Sequence, residues 1–170
     1  MCGIVGYKGN RESIPVLLNG LKSLEYRGYD SAGIAYVNGG KIKIKKSIGR
    51  VKNLENILND DNSNIGIAHT RWATHGGVTD KNAHPHKVGK ITLVHNGIIE
   101  NYEEIKNKLN VKLKSQTDSE IVCAYIDYLY SQNHDMLKTL SILEKTIKGS
   151  YALAIINDDV FSNDEYYKKA

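Results

Sequence analysis

The order of strand-like and helix-like segments is the feature that most limits the folds open to this chain. Residues 33–37 and 41–48 alternate apolar and polar side chains around an Asn38-Gly39 turn signal, which is typical of an antiparallel hairpin. Further strands are predicted at 1–7, 65–69, 90–95 and 150–156, and helices at 13–24, 53–59, 101–109, 117–129 and 137–147. Because the helices are grouped rather than alternating strictly with strands, the sequence predicts an α+β fold with antiparallel sheets.

Composition and charge exclude several classes of protein. With 41% hydrophobic and 25% charged residues among 170, the chain is typical of one globular domain and not of a disordered one. Lys and Arg exceed Asp and Glu by only 23 to 19, and no basic run carries aromatics, so no nucleic-acid partner is expected. No apolar run approaches the roughly 18 residues of a membrane span, so no membrane partner is expected.

The compartment is predicted from the N-terminus and the cysteines. No basic segment followed by an apolar stretch opens the chain, so no signal peptide is visible. Cys2 and Cys123 have neither CxxC nor zinc spacing, and two cysteines cannot form a disulfide scaffold. The sequence therefore favours the reducing cytoplasm.

Cys2 is the first candidate for chemistry. Removal of Met1 would be favoured because the next side chain is small. The new terminus would carry a thiol and an α-amine, with reference pKa values of about 8.5 and 7.7–8.0. The amine can accept the thiol proton, which puts nucleophile and base in one residue. The alternative is an ordinary small residue after the start codon.

Three further positions fit amide chemistry on an amino acid. Asn96-Gly97 at a strand end could supply oxyanion-hole donors, although the pair is also a common turn signal. Arg71 could bind an α-carboxylate through its planar fork, and Asp118 could accept an α-ammonium. The alternatives are a surface ion pair for Arg71 and a helix N-cap for Asp118.

The remaining polar and aromatic candidates are weighed against ordinary packing. Residues 70–89 form a long polar stretch between strands, and such loops are usually functional or disordered. This stretch holds Trp72, for which core packing or an interface is the alternative. No metal site is expected, because no two histidines lie at helical i, i+4 spacing; the histidines weighed were His69, His75, His84, His86 and His95. Cys123 is interpreted as a packing residue, and Lys41, Lys43, Lys45 and Lys46 as a solvated strand face.

Together these pieces form a pattern that resembles a known family. Residues 1–6 (MCGIVG) are similar to the start of the class II glutamine amidotransferases, the N-terminal-nucleophile group. The other matching blocks are residues 24–33 (LEYRGYDSAG), 70–76 (TRWATHG), 82–86 (NAHPH) and 94–101 (VHNGIIEN). These blocks resemble the glutaminase domains of the glutamine–fructose-6-phosphate aminotransferases, over about residues 1–156. The amidophosphoribosyltransferases share the opening but would typically differ at Tyr29 and around Trp72, His84 and Ile98.

The resemblance implies a fold and a set of roles. The fold would be the four-layer αββα sandwich of the N-terminal-nucleophile hydrolases, with Cys2 at the end of a central strand. Cys2 would attack the glutamine γ-amide, while Asn96 and Gly97 form the oxyanion hole. The glutamine pocket would be formed by Arg71, Thr74, His75 and Asp118. Trp72 would cover the site and gate the exit of ammonia, and the orienting residues would be Arg27 and, with less support, His84. No cofactor or metal is implied.

The same resemblance raises expectations about what else the reaction requires. The family's chains continue well past Ile156 with further strands and two sugar-isomerase domains, which residues 157–170 do not resemble. We therefore expect an incomplete domain, an atypical tail at 157–170, and a missing or separate sugar-isomerase partner that would receive the ammonia. The competing hypotheses are a non-catalytic remnant that binds a partner or glutamine, and an amidophosphoribosyltransferase-type glutaminase.

Overall fold

Two antiparallel sheets lie face to face in the computed structural model, which describes residues 2–73 and 76–159. The first sheet has the strand order β1-β4-β2-β3 and consists of β1 (Gly3–Lys8), β2 (Ser31–Asn38), β3 (Lys41–Ile48) and β4 (Ile65–Arg71). The second has the order β5-β6-β7 and consists of β5 (His86–Val88), β6 (Ile91–Ile99) and β7 (Gly149–Asn157). Every pairing between neighbouring strands is antiparallel, so the expected sheet type is confirmed.

Helices cover the outer face of each sheet. The first sheet is covered by α1 (Ser13–Leu24) and α2 (Val51–Glu55), and a short 3-10 helix, Glu25–Arg27, follows α1. The second is covered by α3 (Tyr102–Asn107), α4 (Asp118–Asn133) and α5 (Met136–Thr146). Each apolar helix face packs on a sheet face that would otherwise meet water. The expected α+β class and four-layer αββα arrangement are therefore confirmed.

A thin apolar layer joins the two sheets. Its buried members are Ala35 and Ile67 from the first sheet and Val94 and Ile156 from the second. Strand periodicity explains the split, because Ile34 on β2 instead faces the α1 side of the same sheet. The layer brings the start of β1 against β6, which sets the geometry of the site described below.

Several predicted boundaries differ from the observed ones. The hairpin turn lies one residue later than the Asn38-Gly39 signal indicates, since Asn38 still pairs with Lys41. Its two central residues are Gly39 and Gly40, both with positive φ, the backbone that a two-residue hairpin needs. A helix begins at Asn101 as predicted, but α3 ends at Asn107 instead of Leu109, and the Asn101 side chain makes no capping hydrogen bond. Its amide instead contacts the α5–β7 connection, through the carbonyl of Thr146 and the N–H of Lys148.

The predicted tail at 157–170 begins inside the folded body. Asn157 is the last residue of β7, and the N–H of Asp158 donates to the carbonyl of Lys90. The carboxylate of Asp158 accepts from Lys87 at 2.6 Å, and that of Asp159 from Lys90 at 2.9 Å. Residues 160–170 lie outside the described part of the chain, so a boundary at 156 and an atypical tail stay predictions. Across residues 2–73 and 76–159, no helix is long and apolar enough to cross a membrane.

Lys46 departs from the predicted solvated strand face. It shares the inward face of β3 with Ile42 and Ile44, and its Nζ donates to the carbonyl of Ala83 at 2.7 Å. Burial lowers the pKa of this amine to about 8, and the nearby carboxylates of Glu120 and Asp80 only partly oppose the shift. The interpretation failed because Lys46 lies two residues after Ile44, so the regular alternation of β3 places it on the inward face and not with Lys41, Lys43 and Lys45.

Replacing Lys46 by methionine is expected to stabilise the chain at pH 7 by roughly 1–2 kcal/mol. The unfolded chain keeps the ordinary pKa near 10.5, so it binds more protons than the folded chain between about pH 8 and 10.5. The free-energy cost of burying the Lys46 ammonium is therefore full below pH 8 and disappears as the pH rises from 8 to 10.5. Urea denaturation of the wild-type and Lys46→Met chains at pH 7 and 10.5 measures this cost. Lys45→Met, on the opposite face, is the control, and a pH-independent difference for Lys46→Met would contradict the assignment.

Candidate active site

A cavity of about 310 Å³ opens where the start of β1 meets β6 and the first turn of α4. Most of the predicted site residues line it: Cys2, Arg71, Trp72, His84, Asn96, Gly97 and Asp118. Arg27 lies in the 3-10 helix after α1 and is not among the described residues that line the cavity. Thr74 and His75 lie outside the described residues. The structure thus brings together residues that are up to 116 positions apart in the chain.

Cys2 lies immediately before β1 and is partly buried. Its Sγ accepts a hydrogen bond from the backbone N–H of Trp72 at 3.3 Å and lies 3.6 Å from the carbonyl oxygen of the same residue. The carbonyl of Cys2 accepts from Nδ2 of Asn96 at 3.1 Å. Cys2 is therefore held at the cavity by Trp72, directly after β4, through its thiol and by Asn96 of β6 through its carbonyl.

Asn96 and Gly97 belong to β6, which runs four residues beyond the predicted end at His95. Asn96 Nδ2 has two N–H groups, and only one is needed for the bond to Cys2. Gly97 has a φ of +129° and pairs with Tyr151 of β7, and a Cβ there would lie 2.0 Å from the carbonyl oxygen of Ser150. Only glycine fits that position, so β6 can continue past the cavity without a side chain at Gly97.

Arg71 is the last residue of β4 and is 4% exposed, which does not fit the surface ion pair weighed from the sequence. Its guanidinium donates to the carbonyls of Gly77 at 3.1 Å and Gly76 at 3.3 Å. Burial lowers the pKa of Arg71, and the charges of Asp30, Cys2 and Asp118 oppose that shift. The guanidinium remains charged, so a buried cation lines the cavity.

Asp118 is the first residue of α4 and is 6% exposed. Its Oδ2 accepts from the N–H of Ile99 at 3.0 Å, and its Oδ1 accepts from the hydroxyl of Ser119 at 3.3 Å. The N-cap alternative for Asp118 is wrong, because Thr117 holds that position and accepts from the N–H of Glu120 at 3.2 Å. The Asp118 carboxylate is thus directed toward β6 and the cavity instead of the helix end.

Trp72 extends the cavity wall toward solvent. Its side chain is 46% exposed and contacts Tyr29 edge to face, with ring centroids 5.6 Å apart. This exposure excludes the core-packing alternative. The N–H of the next residue, Ala73, donates to the carboxylate of Asp30, which ties the segment after β4 to the start of β2.

Histidines hold the main chain of β6 just before Asn96. The N–H of His95 donates to Nδ1 of His84 at 3.1 Å, and its carbonyl accepts from Nε2 of His69 at 2.9 Å. β5 pairs with β6 only from Ile91 to Leu93. At His95, where β5 no longer pairs with β6, the imidazoles of His69 and His84 bind the main chain of β6 instead. The imidazoles of His69 and His84 stack with centroids 4.0 Å apart.

Burial keeps these imidazoles neutral. It lowers the pKa of His69 to about 3 and the pKa values of His84 and His86 well below 6.5. Sequence reasoning weighed His69 and His95 only as metal ligands and missed their structural role. The available signal was their position, since both lie on buried strands beside the Asn96-Gly97 pair. Among the described residues, no three His, Cys, Asp or Glu side chains are grouped to hold a metal ion.

Comparison with known families gives a match over most of the chain. A sequence profile described as "Glutamine amidotransferase domain" matches residues 41–160. The relatives include a glutamine–fructose-6-phosphate aminotransferase (isomerizing) from Clostridium acetobutylicum, 50% identical over 92% of this chain. The protein of the same name from Fusobacterium nucleatum is 50% identical over 94% of this chain. The chain spans about 27% of the length of each of these two relatives.

Solved structures share the fold. A glutamine phosphoribosylpyrophosphate amidotransferase from B. subtilis, complexed with ADP and GMP, superposes with a TM-score of 0.79 at 24% identity. The match covers 93% of this chain and 35% of that one. A structure described as the allosteric regulatory enzyme of purine biosynthesis has a TM-score of 0.81 at 25% identity, covering 93% and 36%.

Proposed function

The chain belongs to the family of glutamine amidotransferase domains, and we propose that its Cys2 cavity releases ammonia from the side-chain amide of L-glutamine. One observation carries the proposal: Cys2 shares a single cavity with a buried cation, Arg71, and a buried anion, Asp118. An α-amino acid carries the two complementary charges on one carbon. The cavity therefore has a group for each end of the substrate and a thiol for its side chain.

The chemistry follows from the residues around the thiol. Once Met1 is removed, the α-amine of Cys2 accepts the thiol proton, and Sγ forms a bond to the γ-carbon of glutamine. The amide π electrons move to oxygen, and donors from Asn96 and Gly97 stabilise this oxyanion, each worth about 3–4 kcal/mol. The C–N bond then breaks with proton transfer to nitrogen, and ammonia leaves. Water hydrolyses the thioester, which returns the thiol and yields glutamate.

The remaining predicted residues complete the proposed pocket. Arg71 binds the α-carboxylate through its planar fork, and the Asp118 carboxylate accepts the α-ammonium. Thr74 and His75 are proposed to line the same pocket. Trp72 is proposed to cover the site and gate the exit of ammonia, which its exposed position beside Cys2 supports. Arg27 and His84 are proposed to orient the nucleophile and its surroundings, and His84 contacts the main chain of His95.

The destination of the ammonia is proposed from the relatives. Relatives named glutamine–fructose-6-phosphate aminotransferase are about 50% identical to this chain, against 24–25% for the two solved structures described above. This difference favours fructose 6-phosphate over an amidophosphoribosyltransferase-type acceptor. The product would be glucosamine 6-phosphate, formed on a sugar-isomerase partner in the same or another chain. A cytoplasmic location is proposed because Cys2 and Cys123 are both free thiols.

Glutamate release from L-glutamine tests the proposal directly. The purified chain, with loss of Met1 verified by intact mass, is expected to produce glutamate and ammonia in equal amounts. The matched control is the same chain made while methionine aminopeptidase is inhibited, because a peptide-bonded residue 2 has no α-amine to accept the thiol proton. Its rate is expected to fall by roughly 10²–10⁴-fold, the usual contribution of a general base. A folded, processed chain without glutamate release would overturn the proposal and leave the non-catalytic remnant.

A further inference from the structure

Asn82 is a buried amide whose two ends bind two different segments of the chain. Its side chain is 2% exposed and lies in the stretch that the sequence predicts as a long polar loop. Nδ2 donates to the carbonyl of Gly77 at 2.9 Å and to Oε1 of Gln116 at 3.3 Å. Oδ1 accepts from the N–H of Gln116 at 3.0 Å. Asn82 therefore links the segment after β4 to the segment before α4.

Each of these segments holds one charged group of the cavity. The carbonyl of Gly77 that accepts from Asn82 also accepts from the guanidinium of Arg71 at 3.1 Å. Gln116 lies two residues before Asp118, and the N-cap Thr117 between them fixes the first turn of α4. A chain of three hydrogen bonds thus runs from the guanidinium of Arg71, through the carbonyl of Gly77 and the Asn82 side chain, to the main chain of Gln116.

We propose that Asn82 is a positioning residue that sets the separation between Arg71 and Asp118. The inference rests on the proposed function, in which these two residues bind the α-carboxylate and the α-ammonium of glutamine. Both substrate groups are attached to one carbon, so the distance between cation and anion has little tolerance. A displacement of about 1 Å in a positioned group can cost 10²-fold in rate or affinity.

The amide is suited to this task in a way that its isostere is not. Aspartate at position 82 would keep an acceptor for the N–H of Gln116 but could not donate to the carbonyl of Gly77. It would also place a negative charge near Arg71 and compete with the carbonyls of Gly76 and Gly77 for the guanidinium. The effect of Asn82→Asp should therefore be at least as large as that of Asn82→Ala, although it removes no volume.

Steady-state kinetics with L-glutamine test the assignment. Asn82→Asp and Asn82→Ala are expected to raise KM by roughly 10- to 100-fold while kcat changes by less than about 3-fold. Alkylation of Cys2 by iodoacetamide, which has no amino-acid head group, is expected to keep its rate. The matched control is Asp80→Asn, two residues away and exposed, which should leave all three quantities unchanged.

Two results would overturn the inference. One is an unchanged KM in both variants. The other is a rise in KM that is accompanied by parallel falls in kcat, in the alkylation rate and in the thermal midpoint. That result would show a general role in stability. If the wild-type chain releases no glutamate, calorimetry with L-glutamine on Cys2→Ala chains with and without Asn82→Asp separates the two proposals. Weaker binding in the double variant supports the role of Asn82 although hydrolysis has failed, and equal or absent binding overturns it.

Discussion

Replacing Cys2 by alanine is expected to abolish glutamate release and leave the fold intact. The proposed covalent intermediate requires a sulfur bonded to the γ-carbon of glutamine, and no other described cysteine lines the cavity. Removal of a nucleophile from a preorganised site costs about 10⁴-fold or more in kcat. The side chain is small and only partly buried, so the thermal midpoint should change little. Glutamate release and thermal unfolding of the same preparation measure both quantities.

The other cysteine provides the matched control for this experiment. Cys123 lies inside α4, and burial raises the pKa of its thiol to about 12, which leaves no thiolate at neutral pH. It contacts the carbonyls of His86 and Ile91 as a weak donor. Cys123→Ala should keep its kcat, with a stability loss of about 1 kcal/mol. Retained turnover in Cys2→Ala would place the nucleophile elsewhere and remove the basis of the proposed mechanism.

Acidification from pH 6.5 to 5 is expected to destabilise the chain by several kcal/mol. The pKa values of His69, His84 and His86 are depressed in the folded state by burial, so below pH 6.5 the unfolded chain binds protons that the folded chain does not. Each such histidine contributes up to about 1.4 kcal/mol per pH unit, or on the order of 4–6 kcal/mol for three by pH 5. That is comparable to the whole stability of a typical domain.

Urea denaturation between pH 7.5 and 5 measures this loss. His86→Gln is expected to flatten the curve by about one histidine's share, because an amide does not titrate in this range. His134→Asn is the matched control: His134 is exposed, ends α4 with a φ of +52°, and asparagine tolerates that backbone. A stability that stays flat down to pH 5 would show that the buried histidines are protonated in the folded chain.

The sequence predicted those parts of the molecule that depend on local pattern. The apolar spacing of Ile14, Leu17, Leu18 and Leu21 predicts α1 with both ends as observed. Alternation likewise predicts the strands on either side of the hairpin. Alternation does not predict β5, because this strand has only three residues and so is too short to show a pattern. The extension of β6 through Gly97 depends on β7, a partner more than fifty residues later in the chain.

The same division holds for the site. Cys2, Asn96 and Asp118 could be found because amide chemistry needs those side-chain types. Asn82 and His69 could not be assigned, because most of their partners are main-chain groups, which look the same at every position of a sequence. Lys46 shows the reverse error: its residue type indicates a solvated surface, but its position two residues after Ile44 places it on the inward face of β3.

The pairing of β6 with β7 also determines when the site can exist during synthesis. Cys2 leaves the ribosome well before Tyr151, and Gly97 obtains Tyr151 as its partner only when β7 has emerged. At about 5–20 residues per second, the 149 positions from Cys2 to Tyr151 take roughly 7–30 s. Throughout this time the nascent chain carries its thiol without the strand pair that shapes the cavity wall at Asn96 and Gly97. Aminopeptidase processing can therefore precede assembly of the cavity, which the order of translation delays until the last described strand is in place.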